Sequence, residues 1–326
     1  CCGPCKRGNV NFLQFYTSPA KGYWNAGTSR GGKAFMQLIL HTGGHYTEED
    51  RLLKSLQSNH NLLTQAGTHT PSPSTYRGLF RDTLNAMHKS SAADGARDVL
   101  LDAVMGESEA DRVIFSDANF FRTPATAVVE GMLYPAAPVR MMRMAQLFPD
   151  DELQIFMGIR NPATLLPVLY DVAVDKSPTQ FWGAKDPLDV RWSDTLGLLR
   201  DSAPEINITV WCNEDAPLIW GHIMRDMAGL PATTPLKGEF DLLETIMRPE
   251  GMKRFTSYLA AHPEITAAQH QRVIAAFLDK YAIDDALEEE LDMPDWTEEL
   301  VEDMTEVYDE DLARIQEIPG VRVILP

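Results

Sequence analysis

The chain has 326 residues, 44% of them hydrophobic and 23% charged, a globular balance that supports a substantial core in one large domain or one domain with a cap. A formal net charge of −18 leaves no basic field to replace the counterions of nucleic acid, and no apolar run approaches a membrane span. No secretory pattern is visible, so the expected location is cytoplasmic.

Residues 1–35 are polar and glycine-rich with little periodicity, and are expected to form a poorly structured N-terminal extension ahead of a single α/β domain over 36–326. Cys2-Gly3-Pro4-Cys5 has the spacing of a redox dithiol. That chemistry needs a strand before the motif and a helix after it, whereas Lys6-Arg7-Gly8-Asn9 is a poor helix start, so the spacing reads as chance.

From 36 to 59 the chain reads as a buried strand (36–40), a turn at Gly43 and Gly44, and a helix starting near Thr47 whose Leu52, Leu53 and Leu56 share one face. Strand, glycine turn and helix is how a phosphate-binding loop is built, with free backbone N–H groups and the positive end of the helix dipole facing the anion. A turn follows at 70–74, then helices over 76–88 and 93–107. A strand at 112–116 ends at Asp117-Ala118-Asn119, and a helix covers 140–147. The strand 154–159 is terminated by Arg160-Asn161-Pro162 and followed by a helix over 163–174. After a loop bearing Trp182 and Trp192 come a helix (193–202), a strand (206–212) that buries Cys212, and a helix (218–230) closed by Gly229 and Pro231. Between Asp284 and Asp311 stand fifteen acidic residues and no Lys or Arg, punctuated by Leu291, Trp296, Leu300, Met304 and Tyr308. That spacing predicts an acidic amphipathic helix docked on the body. Strands alternating with helices imply a doubly wound, mostly parallel sheet with helices on both faces. Ligands of such sheets bind beyond the carboxyl ends of the strands, here His41–Tyr46, Ser116–Asn119, Arg160–Asn161 and 213–215.

Those ends, taken in order, resemble the sulfotransferase family, in particular divergent bacterial members with a first loop of the form LHxGxHKTGTTxLQ. This chain has Leu40-His-Thr-Gly-Gly-His45, then Tyr46 and Thr47, with Leu56-Gln57 at the end of the helix. Ile159-Arg-Asn-Pro162 is similar to the family's second phosphate site, Val210-Trp-Cys-Asn-Glu-Asp215 to its later "yEdL" segment, and the ending from Trp296 to Val321 to its bacterial relatives. The resemblance implies a P-loop-type fold and a co-substrate, 3′-phosphoadenosine 5′-phosphosulfate, held by Gly43, Gly44, Thr47, Arg160 and Asn161, with no cofactor bound tightly. It implies transfer of the sulfuryl group to a hydroxyl of a small molecule or glycan. The departures bear on activity: Tyr46 stands in the lysine's place, Glu48, Glu49 and Asp50 in those of the glycine and paired threonines, and Val168 in that of a serine. Carboxylates at a helix N-terminus stabilise the free helix and repel a phosphate.

His45 could act as base toward an acceptor hydroxyl or satisfy loop carbonyls. Asp117 and Asn119 could position the acceptor or form a turn and helix cap. Glu214 and Asp215 could cap the helix at Leu218, and His41 is read as structural. A metal held by His41 and His45 with Asp117 or Glu214 is a further alternative, with nothing to fix its geometry. Three functions remain: an active sulfotransferase, a non-catalytic binding or scaffold protein on the same fold, and an enzyme of altered chemistry.

Overall fold

Six short strands form one sheet in which every pairing is parallel: β1 (Gln37–His41), β2 (Thr68–His69), β3 (Arg112–Ser116), β6 (Glu152–Ile159), β7 (Asn207–Cys212) and β8 (Val321–Ile324), in the order β2-β3-β1-β6-β7-β8. A separate antiparallel hairpin joins β4 (Val128–Val129) to β5 (Met132–Leu133). The computed structural model describes residues 35–326 apart from 49, 89–90, 174–176, 178–179, 182, 184, 288–292 and 294–295. The expected N-terminal extension with its cysteine pair, Trp182 and the stretch around Leu291 lie outside the described residues.

Strand side chains alternate between two apolar layers, as a period of two requires. Leu38, Leu40, Val113, Phe115, Ile155, Met157 and Val210 point into the larger layer. Ile39, Ile114, Phe156 and Trp211 point into the opposite one. Because both faces are covered, the strands read as near-continuous apolar runs. Each fully buried aliphatic or phenyl side chain contributes about 1.5–3 kcal/mol through its removal from water.

The smaller layer is roofed by α1 (Arg51–Gln57), α2 (His60–Gln65) and, later in the chain, a helix over Ala216–Ala228. The larger layer is roofed by α3 (Pro73–Ala86), α4 (Ala96–Met105), α5 (Ala137–Leu147), α6 (Pro162–Asp171) and α7 (Trp192–Ser202). The helix over Ala216–Ala228 is α8; it has Pro217 in its first turn and ends where Gly229 turns left-handed at φ 67°. Helices α9 (Asp241–Ile246), α10 (Pro249–Ala261) and α11 (Ala267–Tyr281) enclose a satellite core around Phe255. A short α12 (Asp284–Leu287) precedes α13 (Glu298–Glu317). In α13, Met304, Tyr308, Asp311 and Ile315 are buried at helical spacing, while Glu298, Glu299, Glu302, Asp303, Glu306, Asp309 and Glu310 are exposed. Among the described residues no helix is long and apolar enough to cross a membrane.

The first helix begins at Arg51 rather than near Thr47, because hydrogen bonding keeps the preceding loop extended. Thr42 N–H donates to the Phe156 carbonyl (3.1 Å) and Gly44 N–H to that of Gly158 (2.9 Å), so β1 stays stitched to β6 beyond its formal end. Tyr46 then takes a left-handed φ of 56°, and Thr47 Oγ1 donates back to the Gly44 carbonyl (2.7 Å), closing a turn.

Candidate functional site

The carboxyl ends of β1, β3, β6 and β7 meet around the loop 42–50, and the sequence-predicted residues fall into two groups on either side of it. His45, Asp117 and Asn119 come together on the β3 side. Arg160 and Asn161 lie on the β6 side, joined to the loop where Arg160 Nη1 donates to the Tyr46 carbonyl at 2.7 Å.

Beneath the loop, His41 points toward the smaller layer. Its Nδ1 is 2.9 Å from Ser116 Oγ, its Nε2 bonds Glu48, and its ring stacks on Trp211 with centroids 6.0 Å apart. Glu48 is 2% exposed, turned into the core rather than toward the helix mouth. Its second oxygen has no hydrogen-bond partner among the described residues and lies at Gly158, where a β-carbon would come within 2.7 Å of it. Asp50 also turns aside, accepting from Arg77 Nη2 at 2.6 Å. Of the acidic trio expected to crowd the helix start, Glu48 and Asp50 are thus paired with His41 and Arg77, and Glu49 lies outside the described residues.

His45 is 4% exposed and bonded on both ring nitrogens. Its backbone N–H donates to the Tyr134 hydroxyl (2.9 Å), which leaves the hydroxyl proton to donate to His45 Nδ1 (2.8 Å). Nε2 then carries the ring proton and donates to Asn119 Oδ1 (3.3 Å), with the Arg122 carbonyl as a further acceptor. Burial lowers the His45 pKa against the opposing pull of those acceptors, and burial raises that of the Tyr134 hydroxyl. The imidazole is therefore a neutral structural bridge, and taking a proton from a substrate would first require breaking the Tyr134 bond. His41 and His45 point into different neighbourhoods and do not converge on a common ion.

Asp117 lies half-buried, its N–H donating to the His41 carbonyl (2.9 Å) and its Oδ1 accepting from Asn119 N–H (2.9 Å), so it forms the turn after β3. Burial raises its pKa while Asn119 N–H, Arg77 and Arg140 act in the other direction. Gly43 supplies a left-handed φ of 55°. Gly44 is required by space, since a β-carbon there would stand 2.6 Å from the Gly158 carbonyl. Thr47 closes the turn described above.

On the β6 side, Arg160 is buried and also donates through Nε to Thr164 Oγ1 (2.9 Å). Asn161 caps α6 by accepting Ala163 N–H, and its amide nitrogen donates to Thr305 Oγ1 on α13 (2.9 Å). Its backbone N–H donates to Glu214 Oε1 (2.8 Å), so a carboxyl group of the chain itself occupies the anion position before α6. Burial raises the Glu214 pKa, and burial with the Glu214 and Asp309 charges pushes Asp215 up to about 6. Asp311, 1% exposed, caps α7 from α13 by accepting from Trp192 N–H (2.8 Å), Ser193 N–H (3.0 Å) and the Ser193 hydroxyl.

Sequence reasoning missed Tyr134, Arg77 and the inward turn of Glu48. No local pattern marks them: Tyr134 holds a left-handed φ of 48°, unusual for a non-glycine residue, and reaches His45 across 89 residues. A scan against models of known protein families gives no match, and neither does a search of curated proteins.

Proposed function

We propose that this protein is a non-catalytic binding relative of the sulfotransferases, on a P-loop-type scaffold whose phosphosulfate loop is closed by the chain's own groups. The strand–glycine loop–helix unit at the centre of a parallel sheet supports the ancestry, as do Arg160 and Asn161 at the end of the neighbouring strand. One observation carries the loss of activity: several of the donors that would meet a phosphosulfate are bonded internally. Gly44 N–H serves Gly158, His45 N–H serves Tyr134, Arg160 serves Tyr46 and Thr164, and Asn161 N–H serves Glu214.

The residues therefore do not fit 3′-phosphoadenosine 5′-phosphosulfate. Binding it would break several buried hydrogen bonds at once, each costing about 1–3 kcal/mol if its partner is left unsatisfied. It would also bring a polyanion against Glu214, with no lysine in the loop to offset the charge. Calorimetric titration with 3′-phosphoadenosine 5′-phosphate tests the reading. The expected result is no saturable heat at the loop up to about 1 mM ligand. Micromolar binding that Arg160→Ala abolishes would overturn it and restore the enzyme reading.

A further inference from the structure

Helices α10 and α11 pack together on the satellite core around Phe255, and the open cleft between them has a volume of about 790 Å³. One stripe of α10 lines it, from Glu250 through Lys253, Arg254 and Tyr258 to Ala261, a length of about 16 Å at the helical rise per residue. The facing stripe of α11 supplies Phe277, Lys280 and Tyr281. Four rings follow one another along the cleft: His262, Tyr258, Phe277 and Tyr281, at successive centroid separations of 4.1, 6.2 and 6.0 Å. His262 Nδ1 donates to the Tyr258 carbonyl (2.8 Å), which keeps the imidazole stacked on the phenol, while Tyr258 stays 37% exposed. Cations lie against the other end of the row, with Lys280 Nζ 5.4 Å and Arg254 Cζ 5.8 Å from the centroid of Tyr281. Lys253 adds a third positive charge to the lining. The one carboxylate there, Glu250, is taken by Arg254 Nη2 (2.9 Å), so the Lys253 and Lys280 ammonium groups have no carboxylate partner among the described residues. This cationic balance runs against a chain whose net charge is −18.

We propose that the cleft between α10 and α11 binds a small planar aromatic anion, its ring laid along Tyr258 and Phe277 and its anionic group met by Lys253 and Lys280. Neither half of the lining accounts for the other. Cations alone would be met by any acid, and rings alone by any apolar group. A ligand that joins a flat ring to an anionic group uses both: the ring stacks on the aromatic row, and the charge gives the lysines the partner that the chain does not supply. Volume sets the size, since about 790 Å³ falls within the range of roughly 300–1,000 Å³ found for small-molecule clefts. The ligand is small rather than polymeric, because the acidic surface elsewhere would repel a nucleic acid. None of this depends on the proposed ancestry.

The test is calorimetric titration of the full chain with 1-naphthyl phosphate at pH 7.5 and constant ionic strength, with inorganic phosphate and 1-naphthol titrated in parallel. Wild type should bind one naphthyl phosphate per chain, at least tenfold tighter than either half alone. The double variant Lys253→Gln, Lys280→Gln should weaken binding about tenfold. Tyr258→Leu, which keeps apolar bulk and removes the flat face, should weaken it at least threefold. Arg81→Gln, on the exposed face of α3, should leave it unchanged. If Tyr258→Leu fails to fold, the lysine pair, exposed on the helix surfaces, decides the matter. Titrations with adenosine 5′-monophosphate and 1-naphthoate separate the ligand classes: one bound at least tenfold tighter than naphthyl phosphate identifies a nucleotide or an aryl carboxylate, and equal binding identifies an aromatic anion of any headgroup. Absence of saturable naphthyl phosphate binding, no gain over inorganic phosphate, or equal binding by wild type and the lysine variant overturns the proposal. So does polyglutamate bound more tightly than naphthyl phosphate and indifferent to Tyr258→Leu, which would make the cleft a groove for acidic peptides. Should 3′-phosphoadenosine 5′-phosphate bind and lose affinity in the lysine variant but not in Arg160→Ala, it occupies this cleft and the closed-loop reading stands.

Discussion

The loops that leave β1 and β3 start side by side, from strands in register at His41 and Ser116, yet they are held in place in different ways. After β1, Gly44, His45, Thr47, Glu48 and the Arg160 that braces Tyr46 are all turned to internal partners, and the loop lies sewn between β6 and Tyr134. After β3, Asp117 and Asn119 make one short turn, with Arg77 on α3 donating to the Ser116 carbonyl and to Asp50 beside it. The position most associated with phosphate binding in this type of sheet is thus a structural joint, and the adjacent turn after β3 is shorter and more exposed. A glycine loop is only a site when its N–H groups are free, and freedom is settled by what packs above it.

The comparison breaks most visibly at His41. Replacing it with Leu leaves the Glu48 carboxyl group buried without its partner and should cost about 3–5 kcal/mol in urea unfolding, with much of that regained in the His41→Leu, Glu48→Leu double variant. A loss below about 1 kcal/mol would mean that Glu48 swings out freely and that the joint is not closed. Gly44→Ala comes next. Its β-carbon meets the Gly158 carbonyl, a backbone atom that cannot step aside, so about 2–3 kcal/mol should be lost.

Tyr134→Phe removes the hydroxyl that serves two groups of His45 and should cost about 2 kcal/mol. His45 also sharpens the comparison through pH. Its folded pKa lies below the unfolded value, so on acidification through 6.5 the unfolded chain takes the proton first and stability falls. His45→Gln lacks this component, and its unfolding free energy should change less between pH 7.5 and pH 5. Equal slopes would show that His45 titrates in the folded loop as freely as in the unfolded chain. On the β3 side, Asn119→Ala should change stability by only about 0.5 kcal/mol, because the exposed turn carries little of the fold. A loss as large as that of Tyr134→Phe would make the two loops equivalent.

The central strands, the main helices and their order were legible in the chain because burial leaves a local mark: apolar runs for strands covered on both faces, and leucines three and four apart for α1. Two edge strands left no such mark. Thr68–His69 is two residues long and Val321–Ile324 follows a Pro-Gly turn, and each is a strand only because β3 or β7 offers it a free edge. The sequence also brought His45, Asp117 and Asn119 forward as one group, since all lie at carboxyl ends of neighbouring strands. It could not give their roles. Three carboxylates after a glycine turn read as a charged mouth, yet Glu48 points inward because His41 and Ser116 make a polar pocket beneath it, 7 and 68 residues away in sequence. Arg160 reads as a phosphate ligand until the loop bends so that the Tyr46 carbonyl reaches it across 114 residues. Hydrophobic burial depends mostly on a residue's own type and periodicity, so it can be read from the chain. A hydrogen bond depends on which distant group arrives within about 3 Å, and only the folded structure brings the two together.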